Sequence, residues 1–308
     1  MPSRIHVIGS MVVDRIVRVP SLPRPGETVL AHGEAVAPGG KGANQAVAAA
    51  RCGASVRMHG RTGREGQAVV EALAAAGVDV RGIVASDPVS GSATVLVADG
   101  GENAIAVLAG ANRLVNGPDV ARFLRDALPG ELSLFQNECS ALAEGIEASL
   151  ARGLRTWLNA APADPGLAAL PLERLDGIIV NEIEADALTG CPDPMDALAA
   201  LGSRMPASTV VVTLGEKGAV AMAAGRRHAH GGYPVRAVDT VGCGDAFTGS
   251  FLAAVAEGLA PQAALGRGNA AGALAATRQG AIPSLPDRES VLALAATPGR
   301  DAALDSRA

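Results

Sequence analysis

Aromatic residues are scarce in this 308-residue chain, at 2% of positions, with a single Trp and a single Tyr. The core must therefore be built from Ala, Val, Leu and Ile, and the 48% hydrophobic content excludes a disordered chain. No basic cluster occurs and the formal net charge is −5. Without basic stripes or stacking aromatics, nucleic acid is not expected as a partner. No apolar run is long enough to span a bilayer, so no membrane partner is expected either. Met1 to Arg4 leads directly into Ile5, Val7 and Ile8, with no signal-peptide pattern. The four cysteines, Cys52, Cys139, Cys191 and Cys243, form no CxxC pair, which points to the reducing cytoplasm. The five histidines lack metal spacing. His228 and His230 alternate and can share one strand face, where such a pair more often meets solvent than a metal.

What is present alternates. Short apolar runs at Ile5 to Ile8, Ser55 to His59, Leu132 to Phe135, Arg155 to Leu158, Gly177 to Val180 and Thr209 to Leu214 are separated by helical stretches. The helices include Ala43 to Arg51, Gly66 to Ala76, Ala141 to Arg152 and Ala185 to Leu188, stopped by Gly53, Gly77, Gly153 and Gly190. This rhythm predicts an α/β fold with a mostly parallel central sheet flanked by helices. Four further runs alternate with period two: Val13 to Val19, Val29 to Val36, Ala93 to Ala98 and Asn103 to Leu108. The Pro-rich Pro20 to Val29 and the Asp99-Gly100-Gly101 turn read as hairpin connections between them. They predict a small inserted β sheet over residues 13–39 and 91–111, within an α/β body of residues 1–12, 40–90 and 112–308. The polar tail from Thr297 to Ala308 is expected to be loose.

Several apolar runs end in polar residues: Asn137 and Glu138, Asn159, Asn181 with Glu182 and Glu184, and Thr213. In an open α/β sheet ligands bind outside the carboxyl ends of the strands. For any one of these residues alone, helix capping is the commoner explanation.

The strongest chemical signal is DTVGCGDAFTG, Asp239 to Gly249. Small residues Gly242, Cys243 and Gly244 form a tight turn feeding a helix whose free N–H groups suit an anion. Asp245 follows at once. A carboxylate beside an anion site needs a reason, and accepting a proton from a hydroxyl that attacks a phosphoryl group supplies one. Capping the helix is the competing explanation. PGGKGANQ, Pro38 to Gln45, is a donor-rich glycine loop entering a helix, without the Walker A pattern. It suits a polyhydroxy ligand. Asn181 and Glu184 form an NxxE that serves either as a capping box or to direct a hydrated Mg²⁺. TLGEKG, Thr213 to Gly218, reads as a hairpin turn. GRGNAA at Gly266 matches a dinucleotide pattern but lies inside an Ala-rich helix with no strand before it.

In order along the chain, Gly9 to Asp14, GGKGAN at Gly39, Glu138, NxxE at Asn181, TLGxxG at Thr213, DTxxxGD at Asp239 and RxGA at Arg278 resemble the ribokinase, or PfkB, family of carbohydrate kinases. The resemblance spans roughly Ile5 to Pro286, and GGKGANQAVAAA, GENAIAVLAGAN, LNAAPA and RQGAIPSLP are similar to the ribokinase branch. It implies a kinase that uses ATP, Mg²⁺ and K⁺ or another monovalent cation. Asp245 would be the base, and the N–H groups of Gly242, Cys243 and Gly244 the anion hole. Asp14, Gly40, Lys41, Asn44 and Glu138 would bind sugar. Asn181 and Glu184 would orient Mg²⁺ and phosphate, and Thr213, Gly215, Gly218 and Asn269 would line the nucleotide. Asp239 and Ser284, with the carbonyls of Val241, Ala275, Arg278 and Gly280, would hold the monovalent cation. The inserted sheet would be a lid that also pairs two subunits.

Two positions depart from the pattern. Cys243 replaces Ala, Gly or Ser, which leaves its N–H unchanged. Val12 stands where ribokinases carry an Asn that touches the sugar. The expected reaction is phosphorylation of a primary hydroxyl of ribose or a close relative. The rivals are 2-deoxyribose, a ketohexose or a nucleoside as substrate, and a catalytically silent sugar-binding regulator. A lid side chain such as His32 is the alternative source of the sugar contact that Val12 cannot make.

Overall fold

The computed structural model describes residues 3–86 and 89–300, so the tail at 301–308 lies outside the described residues. The first half runs β1 (Ile5–Ile8), β2 (Val12–Val19), β3 (Gly33–Gly39), α1 (Lys41–Arg51), β4 (Val56–Thr62), α2 (Gln67–Ala75), β5 (Asp79–Ala85), β6 (Gly91–Ala98) and β7 (Asn103–Leu108). Next come α3 (Gly117–Phe123), β8 (Leu132–Gln136), α4 (Leu142–Ala151), β9 (Arg155–Asn159), β10 (Gly177–Asn181), α5 (Glu182–Thr189) and α6 (Pro194–Arg204). The chain closes with β11 (Thr209–Thr213), β12 (Gly218–Ala223), β13 (Arg226–Gly231), α7 (Cys243–Ala256), α8 (Pro261–Ala276) and α9 (Arg288–Ala295).

A nine-stranded sheet has the order β13-β12-β11-β10-β9-β8-β1-β4-β5. Its strands pair in parallel from β5 across to β11, and β12 and β13 add as antiparallel hairpins. Strands buried on both faces read as continuous apolar runs, and their side chains alternate between two cores. Ile179 joins one core with α1, α7 and α8, while its neighbours Ile178 and Val180 join the other with α4 and α6. Strand order reverses at β1, with β4 on one side and β8 on the other. That is the crevice where open α/β sheets take their ligands.

The second sheet has four strands in the order β3-β2-β6-β7. The run expected over Val29 to Val36 forms its strand later, at Gly33–Gly39. The register explains the shift: β3 pairs with β2 from Gly33 opposite Arg18 to Gly39 opposite Val12, which carries the strand through Pro38 into the start of α1. The tail expected to be loose from Thr297 is tied as far as Arg300. Its N–H donates to Gly232 O at 2.8 Å.

Two helices set the site. α1 packs on α7 at Gly249, where a Cβ would stand 2.5 Å from Ala48 Cβ and 2.6 Å from Gln45 O. Only glycine permits this approach, and it brings the first turns of both helices together.

Candidate active site

Asp245 lies in the first turn of α7, but Gly242 is the N-cap, with φ of 78°, and no side chain caps the helix. Capping is therefore not its role here. Its carboxylate turns to α1, where Asn44 Nδ2 donates to Oδ2 and Gln45 Nε2 to Oδ1, both at 2.8 Å. The group is buried, at 9% exposure. Burial raises its pKa above the ordinary carboxylate value, opposed by the Lys41 charge and by the Asn44 and Gln45 hydrogen bonds. A carboxylate in that setting is a stronger base than a solvated one.

The turn before α7 leaves first-turn N–H groups without a side-chain partner. Of the three donors expected there, that of Cys243 leans to Thr240 O at 3.3 Å. The Cys243 thiol is pushed up to about 11, chiefly by burial and also by Asp239 and Asp245, so it stays protonated at neutral pH.

Two cavities meet at this turn. One, of about 240 Å³, is lined by Lys41, Asn159, Asn181, Glu184, Gly242 and Asp245. The other, of about 280 Å³, is lined by Thr213, Gly215, Gly218, Tyr233, Asn269 and Arg300 among others. Thr213, Thr240 and Gly244 border both. A polar chamber thus opens beside a larger, more apolar one, with a helix N-terminus between them.

At the crevice beside β1, the Ser10 hydroxyl donates to Glu138, and the Lys41 N–H reaches the same carboxylate at 3.3 Å. Asp14 lies against Gly39, where any Cβ would collide with its Oδ2. Burial, and then the charge of Glu138, push Asp14 up to about 6. Val12 is 9% exposed and pairs with Gly39 and Gly91. The nearby amide of Asn112 binds Met11 at both ends, accepting from N–H at 3.0 Å and donating to O at 2.9 Å. His32 does not stand in for an Asn at position 12. It pairs with Asp99 at 3.0 Å, and its N–H donates to Arg18 O, at the end of the β2–β3 pair remote from Val12.

Asn181 and Glu184 form a complete capping box: Asn181 Oδ1 accepts from Glu184 N–H at 2.8 Å and Glu184 Oε2 from Asn181 N–H at 2.9 Å. Capping and a place on the cavity wall coexist. Burial raises the Glu184 pKa. Asp239 accepts from Val241 N–H at 3.0 Å and from Gly280 N–H at 2.8 Å, which brings it to the loop after α8. Ser284 is buried and its hydroxyl donates to Ala281 O at 2.8 Å. Asn269 Nδ2 donates to His230 O at 2.9 Å, and the Tyr233 hydroxyl meets His230 Nε2 at 3.4 Å, so the half-buried His230 stands behind two residues that line the larger cavity.

Sequence reasoning did not single out Gln45 for any role, nor Ser10, Gln136, Tyr233 or Arg300. For Gln45 a signal existed: it and Asn44 are the only polar residues inside the Ala- and Val-rich stretch from Ala43 to Ala50.

This geometry has close counterparts. The ribokinase of Haemophilus influenzae is 35% identical over 301 residues, covering 95% of this chain and 98% of that protein. A deoxyribokinase of Salmonella typhimurium is 32% identical over 295 residues, covering 92% and 96%. The structure of Arabidopsis thaliana ribokinase with ribose and ATP superposes with a TM-score of 0.84 at 29% identity, covering 96% of this chain and all of that one. The sequence profile of the pfkB family carbohydrate kinases matches residues 2–288. With a match along almost its whole length, the chain belongs to the pfkB family, as an ATP-dependent, ribokinase-like carbohydrate kinase.

Proposed function

We propose that the enzyme transfers the γ-phosphoryl group of ATP to a primary hydroxyl of ribose or 2-deoxyribose, with Asp245 as the base. The observation that carries this reading is the position of Asp245, on the wall of the polar cavity in the first turn of a helix whose uncapped start borders both cavities. The attacking sugar hydroxyl gives its proton to the Asp245 carboxylate. A new O–P bond forms, the bond from the γ-phosphorus to the bridging oxygen breaks, and ADP leaves. N–H groups of Gly242, Cys243 and Gly244 face the charge on the transferring group. Asp14, Gly40, Lys41, Asn44 and Glu138 hold the sugar. Thr213, Gly215, Gly218 and Asn269 border the nucleotide.

Asn181 and Glu184 suit a hydrated Mg²⁺, since Glu184 is buried at the cavity wall and its Oε2 is held by a backbone donor. The ion would neutralise charge on the β- and γ-phosphates. Asp239, Ser284 and the carbonyls of Val241, Ala275, Arg278 and Gly280 are an all-oxygen donor set, which suits K⁺. Bound there, it would stiffen the loop that leads into the anion turn.

Residues 13–39 and 91–111 act as a lid over the sugar. Its outer strand exposes Ile105, Val107 and Leu108, which fits pairing with a second copy. Free thiols at all four cysteines fit the cytoplasm.

The choice between the two sugars falls on Val12. A buried hydroxyl left unpaired costs about 1–3 kcal/mol. With Asn112 engaged on Met11 and His32 remote, neither replaces an Asn amide at position 12 as a partner for the 2-hydroxyl of ribose, which favours 2-deoxyribose.

Two measurements test this reading. Asp245→Asn should lower kcat by about a hundredfold or more, and near-normal turnover in that variant would sink the assignment. Val12→Asn should raise kcat/KM for ribose relative to 2-deoxyribose. A wild type that already prefers ribose strongly, with no further gain in the variant, removes Val12 as the discriminator.

A further inference from the structure

We propose that Gln45 is a positioning residue for phosphoryl transfer, held by a one-way chain of buried amides that starts at a main-chain carbonyl. This rests on the reading of Asp245 as the base.

The direction of the chain follows from its end. Asn159 Nδ2 donates to Ile179 O at 3.0 Å. A main-chain carbonyl only accepts, so the Asn159 amide has one allowed orientation, with Oδ1 toward Gln45. Gln45 Nε2 donates to that Oδ1 at 2.8 Å and to Asp245 Oδ1 at 2.8 Å. Gln45 Oε1 accepts from Gln136 Nε2 at 2.7 Å. Each link forces the next. β10 thereby dictates that Gln45 meets the carboxylate as a donor and never as an acceptor. Gln45 is 0% exposed and Gln136 1%, so neither reaches substrate.

The device has a chemical use. Asp245 must be ionised to take a proton, and burial opposes ionisation. A lysine or arginine in the place of Gln45 would stabilise the charge at the expense of basicity. An amide donor stabilises it moderately, adds no net charge, and fixes the plane of the carboxylate. Asn44 does the same at the other oxygen, so two consecutive residues of α1 hold both oxygens of one group.

The test compares Gln45→Leu, Asp245→Asn and the double variant. Gln45→Leu should lower kcat about tenfold or more, with sugar and ATP KM within about twofold. Removing a donor to the ionised form raises the Asp245 pKa, so the acid limb of the kcat–pH profile should move to higher pH. In the Asp245→Asn background the same change should have little further effect, because the group it serves is gone. An unmoved acid limb, or an equal loss in both backgrounds, overturns the proposal by showing a structural role only. Normal turnover in Asp245→Asn alone overturns the base assignment beneath it, in a variant that leaves Gln45 untouched. If Gln45→Leu does not fold, Gln136→Leu removes the next link. The acid limb should move in the same direction by less, and no movement there overturns the proposal equally.

Discussion

The two sheets of this enzyme are built on opposite terms. In the large sheet, β1 and β8 are buried at every residue, and β1, β8, β9, β10 and β11 each feed two cores. In the small sheet, every residue of β7 is exposed, with Ile105 at 60%, Val107 at 70% and Leu108 at 54%. The body carries its own stability, whereas the small sheet has one unpartnered face and depends on what covers it. Substitutions in the body should therefore be felt in folding and turnover together. Those in the small sheet should be felt in association or sugar capture alone.

The largest expected break is Gly249→Val, which drives a side chain into Ala48 and the Gln45 carbonyl. Overpacking of this kind costs about 1–3 kcal/mol. It should lower Tm and kcat together, since it pries Asp245 from its amides. A normal kcat at reduced Tm would uncouple the helix contact from the site.

Next comes Asp14, with its pKa raised to about 6 by burial and by Glu138. A carboxyl raised above its unfolded value destabilises the fold when ionised. That penalty is present above pH about 6 and is relieved as the pH falls toward 4. In the sugar-binding role proposed for Asp14 the ionised form is the acceptor for sugar hydroxyls, so sugar KM should rise about tenfold at a pH one unit below this pKa. Asp14→Asn should raise Tm while weakening sugar binding. A lowered Tm in that variant would show that the carboxylate is a structural asset.

His6 and His59 in the body have pKa values lowered by burial below the ordinary 6.5. Their neutral forms are favoured in the fold. The stability this gives is full above the unfolded value and declines as pH drops from about 6.5 toward the folded values. His6→Gln should flatten the acid side of a Tm–pH curve, and an unchanged slope would remove His6 from the account.

The smallest thermal effect belongs to the small sheet. Val107→Asp should change Tm by less than an equivalent of about 0.5 kcal/mol, yet reduce any dimer seen by sedimentation. A large fall in Tm would mean that β7 shares the body's stability after all.

Which features are legible in the sequence follows the same contrast. Gly177 to Val180 and Thr209 to Leu214 read as strands because burial on both faces leaves an unbroken apolar run. β5 does not, since it is an edge strand of half-buried residues broken by Asp79 and Arg81. The α3 helix is equally hard to read, being seven residues with a proline in its first turn. Within the site, residues that sit in local motifs are legible: Asp245 beside its glycine turn, Asn181 with Glu184. The amide chain is not, because its links join positions 91 and 200 residues apart, and nothing local in a glutamine says whom it faces. Tyr233 and Arg300 escape for a related reason. Arg300 meets the larger cavity because the chain after α9 doubles back to Gly232 and Glu216, and Tyr233 because it follows β13 beside it.

The helix α1 joins three things that are far apart in the chain. It starts two residues after β3 ends, its first turns grip Asp245, and Arg51 at its far end donates to Ile282 O at 2.9 Å and Leu285 O at 2.6 Å. Eleven residues act as an axle with three fittings at set angles. One inserted residue between Asn44 and Arg51 would rotate the far fitting by about 100° relative to the near one. Insertions can accumulate in the turns of the small sheet, where nothing is geared to their length, but a gene lineage that gained or lost a single codon in this helix would disengage small sheet, Asp245 and rear loop in one step.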